Sequence, residues 1–563
     1  MIINRIYLQN FRSYGHEGTT IELSPYSTTI IGENNIGKTT ILTALKIILQ
    51  LSQMDSTNLD YFNRNSQKKL KISIDCILDD DQIFSIIHTL EFPYSIEEFK
   101  KIFSNKITYD YIRIPGKVSL KFQMGFLTIV NGPNPNYCKG FINQEYEENY
   151  TGLGWSHIID AIKRNPTSNP EQIIRDLLIH HTKTNPHGFS IDFTTNVYIT
   201  ILSLLQSKIV FLDEFREKPQ STLIESTTDS TGKELTTVLY NLKMGEKIED
   251  RNNFIKIQDS FNNLFPHLKM DIFWKKGFPK KENAEENYEI EIRKKHIVTT
   301  TNYIGSGILQ TLYLLTHLIA HPNTILFIDT PELQLHPHIQ RRLGTLLQSS
   351  QGGQLILLTH SQYFLPITRE SRIIRLIQKE GDTKAICPIK DFFTSEDYDS
   401  LDQILTIDNK EFFFSRFVLL VEGLSDQWVM QIFASAKNFD LDEHGISVVP
   451  VNGNQNFKRY LKILEGFQIP WMIMADSDAE EDIRLVKKLY PNAKIFLLNK
   501  ELEDELHPAF LLEGRQKFGD GKNKKDKPLK ARYAAKKMIE QGIPVPQSIS
   551  EIIQELIQVV RTP

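Results

Sequence analysis

The stretch VEGLSDQWVM at residues 421–430, followed by ADSD at 475–478, decides the fold of the C-terminal third of this chain. One apolar run leads directly into Glu422, and a second ends at Asp476 and Asp478. Both runs predict buried strands that deliver carboxylates at their C-terminal ends, where open α/β sheets place their sites. Convergent carboxylates bind divalent cations through hard oxygens. We therefore predict a metal site here.

Apolar runs and amphipathic segments alternate through the rest of this predicted domain, 396–563. Such alternation predicts a small, doubly wound parallel α/β sheet. The arrangement resembles a TOPRIM domain, the metal-dependent fold of topoisomerases, primases and some nucleases. The predicted strands are 418–421, 446–451, 471–474 and 493–498, and the predicted helices are 427–436, 457–467 and 482–489.

Helix capping is the ordinary alternative for these acidic residues, because carboxylates at strand ends often cap the helix that follows. Asp426 suits an N-cap position, and Asp476 or Asp478 suits one as well. Capping alone does not explain four carboxylates at the ends of nonadjacent strands when Glu422 is included. The metal-site interpretation is therefore preferred.

Far upstream, a short β-rich run at 27–31 feeds GENNIGKTT at 32–40, which fits the phosphate-binding P-loop pattern. Its glycines let backbone N–H groups curl around a phosphate, Lys38 adds positive charge, and Thr39 can bind Mg²⁺. A helix is predicted at 41–51, where its dipole favours the anion. The predicted nucleotide-binding residues of the loop are Gly32, Asn35, Gly37, Lys38, Thr39 and Thr40.

Two later strand ends complete a predicted ATPase. An apolar strand at 324–328 precedes Asp329, which suits a Walker B residue that holds Mg²⁺ through water. Another strand at 355–358 precedes His360, a candidate γ-phosphate sensor. The segment YIGSGILQ at 303–310 is a Gly/Ser turn that opens a helix. Such a turn is a weak signal alone, but in this order it favours a nucleotide contact.

Together with NFRSY at 10–14, these motifs resemble the ABC-type ATPases of the SMC, RecF and OLD group. The resemblance implies that Ser306 belongs to a signature motif contacting Mg²⁺-bound ATP on the opposing subunit, so at least a dimer is expected. Almost 300 residues separate the P-loop from Asp329, so an inserted helical module, which either dimerises or simply caps the core, must split the ATPase. The expected parts are 1–154 and 261–395 for the ATPase and 155–260 for the insertion.

Thr330 departs from the pattern of active ABC-type heads, which usually place a glutamate after the Walker B aspartate to polarise the attacking water. A threonine hydroxyl cannot usefully accept a proton near neutral pH. Glu332 lies two residues further on and could substitute if the loop bends. We expect slow hydrolysis, with ATP acting mainly as a ligand that sets a conformational state.

An SMC-like head followed by a TOPRIM domain resembles the OLD family of nucleases, and in size and layout the Gabija-type anti-phage nucleases. The resemblance implies two cations, Mg²⁺ or Mn²⁺, in each TOPRIM site. By position, Glu422 and Asp426 would serve one subsite, and Asp476 and Asp478 the other. The family also has a glutamate after the fourth strand, for which Glu503 is the candidate.

A catalytic lysine near the C-terminus is a further feature that the resemblance implies, for stabilising the pentacovalent phosphorus. Lys527 is the first candidate and Lys530 the second. Segment 515–537 holds ten Lys or Arg residues against two Asp. Such a run is usually a solvated loop. Beside a metal site, it instead predicts a local phosphate-binding strip.

The whole-chain composition is that of an ordinary soluble protein with several domains. The chain has 563 residues and a formal net charge of −4, so contact with nucleic acid must come from a local patch. Three scattered cysteines argue against a disulfide framework and a zinc site. The N-terminus lacks a signal-peptide pattern, and no apolar run is long enough to span a membrane. We expect a cytoplasmic protein.

These patterns lead to the hypothesis of an ATP-regulated, metal-dependent DNA endonuclease that nicks or cuts duplex DNA in anti-phage defence. The expected partners are DNA, further copies of the chain in a dimer or tetramer and, by resemblance to Gabija-type systems, a helicase-like protein. RNA stays open as a substrate, because a two-metal site attacks either backbone. The alternative function is an ATP-dependent, SMC-like DNA sensor or clamp whose TOPRIM domain is inert.

Overall fold

The computed structural model divides the chain into two compact units, Met1–Ala385 and Ile386–Pro563. None of the helices that it describes is long and apolar enough to cross a bilayer. The structure describes residues 1–49, 61–64, 68–89, 95–97, 103–114, 117–129, 137–143, 203–212, 235–275, 287–349, 352–366, 368–389, 392–405, 407–498, 500–519 and 526–561.

The first unit mixes strands and helices throughout its described length. Its strands are β1 (Ile2–Gln9), β2 (Thr19–Glu22), β3 (Ser27–Gly32), β4 (Leu70–Ile77), β5 (Phe103–Ile114), β6 (Lys117–Ile129), β7 (Tyr137–Asn143), β8 (Ile209–Leu212), β9 (Lys269–Lys275), β10 (Asn287–Lys294), β11 (Ile297–Thr300), β12 (Ile325–Asp329), β13 (Gln354–Leu358), β14 (Ser371–Lys379) and β15 (Asp382–Ile386). Its helices are α1 (Lys38–Ile48), α2 (Asp80–Thr89), α3 (Leu235–Met244), α4 (Ile248–Leu264), α5 (Ser306–Ala320) and α6 (Pro337–Ser349).

Three sheets organise these elements. One sheet has the order β15-β14-β3-β13-β12-β8, and from β14 to β8 its neighbours pair in parallel. Strands β12 and β13 are buried along their whole length, which accounts for their apolar runs at 325–328 and 355–358. A second sheet, β2-β1-β4-β5-β6-β7, pairs antiparallel, and β11-β10-β9 forms a third. The parallel sheet therefore brings the ends of β3, β12 and β13 to one edge.

Two features of the first unit differ from the sequence expectation or add to it. Helix α1 begins at Lys38 rather than at residue 41, because the end of the P-loop already forms its first turn. Strand β8 lies inside the predicted insertion, 155–260, yet pairs with β12 of the parallel sheet. Helix α3 and most of α4 also lie inside that range. The rest of the insertion is mostly outside the described residues, so its dimerising character stays a prediction.

The second unit is built on four parallel strands in the order β17-β16-β18-β19. The alternating strands and helices confirm the predicted parallel α/β domain. The first strand lies between the second and the third, so the chain changes direction between β16 and β18, and ligands bind at such a switch point. The strands are β16 (Phe417–Val421), β17 (Ile446–Pro450), β18 (Trp471–Ala475) and β19 (Ile495–Leu497). The helices are α7 (Ser395–Ile404), α8 (Leu424–Ala436), α9 (Phe457–Gly466), α10 (Glu480–Leu489), α11 (Leu502–Glu505), α12 (Pro508–Phe518), α13 (Asp526–Glu540) and α14 (Gln547–Arg561).

Candidate metal centre and nucleotide site

The first carboxylate of the candidate metal centre stands at the end of β16. This strand is buried at all five positions, and Glu422 follows it directly. Helix α8 then begins after Gly423, whose N–H donates a 2.8 Å hydrogen bond to Asp426 Oδ2. Gly423 is therefore the N-cap and Asp426 the third residue of α8, so the N-cap position predicted for Asp426 is wrong. Asp426 instead caps the helix from inside its first turn, by accepting the N–H of the N-cap residue. This hydrogen bond uses one of its carboxylate oxygens.

The other strand end supplies two carboxylates. Asp476 follows β18, and its backbone N–H donates to Glu422 Oε1 at 2.7 Å, which joins the two strand ends. Asp476 Oδ1 accepts a 3.0 Å bond from the N–H of Leu502 at the start of α11. Asp478 lies in the short turn that follows and is exposed.

Glu422, Asp476 and Asp478 each place a carboxylate oxygen within 4.8 Å of the others. Three hard oxygen donors at this spacing fit a divalent cation of the Mg²⁺ or Mn²⁺ type. The structure thus groups one member of the first predicted subsite with both members of the second. Asp426 adjoins this group, because the charge of Asp476 acts on it.

Burial and mutual repulsion disfavour the ionised forms of Glu422, Asp426 and Asp476. Burial raises the pKa of Glu422 to about 7, and the charges of Asp478 and Asp426 add to the effect. Burial likewise raises the pKa of Asp426 to about 7, with Asp476 contributing. The pKa of Asp476 also rises to about 7, through burial and the charge of Glu422. A bound cation would favour the ionised forms.

Lys527 lies at the same site, held by two glutamates. Its Nζ is 3.2 Å from Glu503 Oε2 and 3.5 Å from Glu501 Oε2. Burial alone would lower the pKa of Lys527, but Glu503 and Glu501 hold it above its usual value, so the ammonium stays charged. Its positive charge opposes the rise in the pKa values of Glu422 and Asp476. The second lysine candidate, Lys530, is buried further along α13.

The nucleotide site is centred on the loop between β3 and α1. Lys38 Nζ donates to the carbonyl oxygens of Gly32 (2.8 Å) and Glu33 (2.7 Å). Gly37 has φ +106°, and a Cβ there would lie 2.3 Å from Ser13 Oγ. Tyr14 Oη donates a 3.0 Å bond to the Gly37 carbonyl oxygen. The NFRSY segment thus packs directly against the P-loop, a role that the sequence did not specify.

The ends of the neighbouring strands complete this site. Thr39 Oγ1 donates to Asp329 Oδ2 at 3.1 Å, so the two predicted Mg²⁺-binding side chains touch. Thr40 is buried behind the loop, while Asn35 is exposed with φ +61°. Ser306 is exposed at the first position of α5, where it is accessible to a second molecule.

Glu332, and not Thr330, places a carboxylate beside His360. Thr330 has φ +46°, so the loop after β12 turns sharply. The Glu332 carboxylate accepts hydrogen bonds of 2.7 Å from both Thr359 Oγ1 and the His360 N–H. Burial raises the pKa of Glu332, and these hydrogen bonds and the charge of Lys38 oppose the rise. Partial burial and Lys38 lower the pKa of His360 to about 4, so its imidazole is neutral at pH 7.

One residue beside the P-loop was missed by sequence reasoning. Arg375 is buried on β14, next to β3, and Glu33 is its electrostatic neighbour. Burial lowers the pKa of its guanidinium to about 10, and Glu33 opposes that shift. The sequence offers only an arginine in an apolar strand, and that pattern carries no sign of the P-loop.

Comparisons with known proteins match both domains. Residues 1–365 match the family described as AAA ATPase domain, and residues 413–478 match the overcoming lysogenization defect protein-like TOPRIM domain. An OLD nuclease of Thermus scotoductus is 22% identical over 51% of this chain and 58% of its own length. Endonuclease GajA of Bacillus cereus (strain HuB5-5) is 21% identical over 86% of this chain and 77% of its own.

These matches cover different shares of this chain and of the matched proteins. The chain spans less than two thirds of the length of the first curated relatives that it matches. A solved Smc head, bound to the C-winged helix domain of ScpA, covers 69% of this chain and 98% of its own with 15% identity. Its TM-score is 0.39, so this likeness carries no argument of its own.

The raised pKa values predict a pH-dependent effect of metal on stability. Carboxylates with raised pKa values stabilise the fold fully below their usual range near 4, and this stabilisation is lost as the pH rises through about 7. A divalent cation compensates the ionised form only. Mg²⁺ without ATP should therefore raise the melting temperature by about 5 °C at a hundredfold excess over Kd at pH 8, and by clearly less at pH 5.5.

Asp478→Asn is the control for that experiment, because it removes an exposed ligand without opening a cavity. The variant should lose most of the Mg²⁺ effect at pH 8. A metal site at these carboxylates is contradicted if Mg²⁺ raises the melting temperature equally at pH 8 and pH 5.5. It is also contradicted if Mg²⁺ has the same effect on Asp478→Asn as on the wild type.

Gly37→Ala should weaken ATP binding by about tenfold or more. The added methyl group meets Ser13, and a left-handed residue with a side chain costs about 1–2 kcal/mol. Calorimetry with a non-hydrolysable ATP analogue measures the change. Gly381→Ala is the matched control, since Gly381 also has a positive φ (+81°) but a Cβ there would meet nothing within 4 Å. Equal losses in both variants would disprove a specific role for Gly37.

Proposed function

Because the chain belongs to the AAA ATPase domain family and also carries an OLD-like TOPRIM domain, we propose that it is an ATP-regulated, divalent-metal-dependent DNA endonuclease. It nicks or cuts duplex DNA in anti-phage defence, as the resemblance to Gabija-type nucleases implies. The observation that carries the proposal is the group of Glu422, Asp476 and Asp478, with oxygens within 4.8 Å at the switch point of a parallel sheet.

The metal-binding residues are Glu422, Asp476 and Asp478, with Asp426 and Glu503 completing the donors for a second ion. Cations held by these residues would supply an activated water and positive charge for the phosphate and the leaving oxygen. The Asp476 N–H fixes the orientation of the Glu422 carboxylate, and the Asp426 carboxylate holds the turn at Gly423.

Lys527 is the cation for the reacting phosphate. Its ammonium is charged and half exposed, so it can leave Glu501 and Glu503 for the more concentrated charge of a phosphate. It lies in the first turn of α13, which begins at Asp526, and this places it at the border of the carboxylate group. Lysine is suited to this role as a compact point charge.

The ATPase head is the regulatory part of the proposal. Gly32, Asn35, Gly37, Lys38 and Thr40 would hold the phosphates, and Thr39 and Asp329 the Mg²⁺. Glu332 takes the place of the glutamate missing at Thr330, since its carboxylate is anchored beside His360. Ser306 would contact nucleotide on a second copy of the chain, so a homo-oligomer, a dimer or a tetramer, is part of the proposal. A helicase-like partner is proposed from the Gabija resemblance alone.

Glu422→Gln should reduce cleavage of supercoiled plasmid by at least about a hundredfold in Mg²⁺ or Mn²⁺, because it removes a charged metal ligand at constant volume. Nicked and linear products are quantified on gels, with and without ATP. Glu443→Gln, an exposed carboxylate of the same unit, should cut like the wild type.

Lys38→Ala tests the regulatory half in the same assay. It should abolish the change that ATP causes while leaving nucleotide-free cleavage intact. Cleavage that persists in Glu422→Gln refutes the proposed metal site, and an unchanged ATP response in Lys38→Ala refutes the regulatory role.

Glu332→Gln should slow ATP hydrolysis by about a hundredfold while leaving ATP affinity within about threefold, because a glutamine cannot accept the proton of the attacking water. Single-turnover assays with radiolabelled ATP measure the rate, and calorimetry measures the affinity. Glu249→Gln, on the exposed side of α4, is the control. Unchanged hydrolysis, or an equal loss of binding, contradicts the assignment of Glu332 as the base.

A further inference from the structure

A partly exposed apolar and aromatic surface borders the candidate metal centre. It consists of Leu424, Trp428 and Arg532, and we refer to it as the Trp428 platform. Leu424 is 45% exposed although it follows Gly423 directly. Trp428 lies one helical turn further along α8, on the same face, and is half-buried. The platform therefore starts two residues from Glu422.

Arg532 comes to this surface from α13. Its Cζ lies over the Trp428 ring, 5.2 Å from the ring centroid. The neighbouring Ala531, Ala534 and Ala535 are fully buried in the core that α13 shares with α8, so Arg532 is on the outer side. Within the described part of the chain, its guanidinium has no carboxylate partner. A planar cation on an aromatic ring is thus open to a ligand.

Packing alone gives a partial account of this arrangement. The cation–π contact helps to hold α8 and α13 together and is worth about 0.5–1 kcal/mol at an exposed site. That contact does not require Leu424 to remain exposed at the rim of the metal centre. Nor does it require Arg532 to stand on the helix that carries Lys527, five residues earlier in the chain. The position points to the path of a ligand leaving the metal centre.

A second cation–aromatic group stands at the next position of α13. Lys517 Nζ lies 5.1 Å from the Tyr533 ring centroid and 5.6 Å from that of Phe518. Tyr533 is adjacent to Arg532 in sequence, and Phe518 ends α12. Aromatic rings interleaved with cations are the usual platform for unpaired nucleic acid, where bases stack on rings or guanidinium planes. The aromatic residues of the basic segment 515–537 are Phe518 and Tyr533, whereas Trp428 comes from another helix.

We propose that the Trp428 platform stacks an unpaired nucleobase next to the phosphate that is cut. The base lies on the Arg532 guanidinium, which rests on Trp428, and Leu424 contacts its edge. The inference rests on the proposed nuclease function and deepens it by naming a substrate class: DNA with a single-stranded or distorted segment at the cut. A fully stacked duplex would first have to release one base, at a cost of a few kcal/mol.

The test measures binding without cleavage. Full-length protein in EDTA is titrated into a fluorescein-labelled single strand of about 12 nucleotides and into a strand of equal length made of abasic residues. The wild type should prefer the base-bearing strand by about fivefold or more, which is the lower end of one base–aromatic stack. Trp428→Ala should remove most of this preference, and Trp428→Phe should restore it.

Two further variants separate stacking from charge and from folding. Lys536→Gln, on the exposed side of α13, should weaken both strands equally, because it removes only a positive charge. Leu424→Ser, at an exposed position that needs no repacking, should reduce the preference for bases. For Trp428→Ala the salt dependence of binding should stay unchanged, since stacking releases no counterions.

The outcomes distinguish this inference from the nuclease proposal. Equal wild-type affinity for both strands overturns the platform, whether or not the protein cuts DNA. An equal loss for both strands in Trp428→Ala also overturns it, because the tryptophan would then be structural. A preference that depends on Trp428, in a protein that cuts nothing in Mg²⁺ or Mn²⁺, supports the platform and refutes the nuclease.

Discussion

Mutual repulsion among carboxylates at one edge of a parallel sheet is the constraint on which the second unit depends. Glu422 and Asp476 stand at the ends of adjacent strands because β16 and β18 flank the switch point. The same topology that creates a cleft forces like charges together, and burial makes each charge more costly. Hydrogen bonds from backbone N–H groups to Glu422, Asp426 and Asp476 offset part of that cost. A bound cation would relieve the remaining cost.

In the candidate nucleotide site the buried charge is positive instead of negative. Lys38 is buried, and burial lowers its pKa to about 8 although the charges of Asp329, Glu332 and Glu33 oppose that shift. Glu332 depends in turn on Lys38 and on the N–H of His360. These groups sit at the ends of neighbouring parallel strands and stabilise one another as charges. Polyphosphate with Mg²⁺ carries both negative and positive charge. It could therefore replace the partners of Lys38 and of the carboxylates without leaving a charge unpaired.

Sequence reasoning succeeded where a local pattern determines position. A buried parallel strand has a recognisable apolar composition. The strands were therefore predicted from the apolar runs that precede Glu422, Asp476, Asp329 and His360. It could not determine contacts between elements distant in the chain. The Lys527–Glu503 ion pair and the meeting of Trp428 with Arg532 depend on how α8, α11 and α13 pack. Most of the insertion, 155–260, still rests on its sequence pattern, since its described part is limited to 203–212 and 235–260.

Asp426 shows why capping and metal binding were a poor choice of alternatives. One of its oxygens accepts the Gly423 N–H, which fixes the turn that carries Glu422. A carboxylate has about four lone-pair positions, so the cap leaves capacity for a cation. The cap also positions the carboxylate before any ion arrives, and this lowers the entropy lost on binding. A residue type that caps helices well is therefore suited to building a metal centre at a helix start, and both roles favour aspartate at this position.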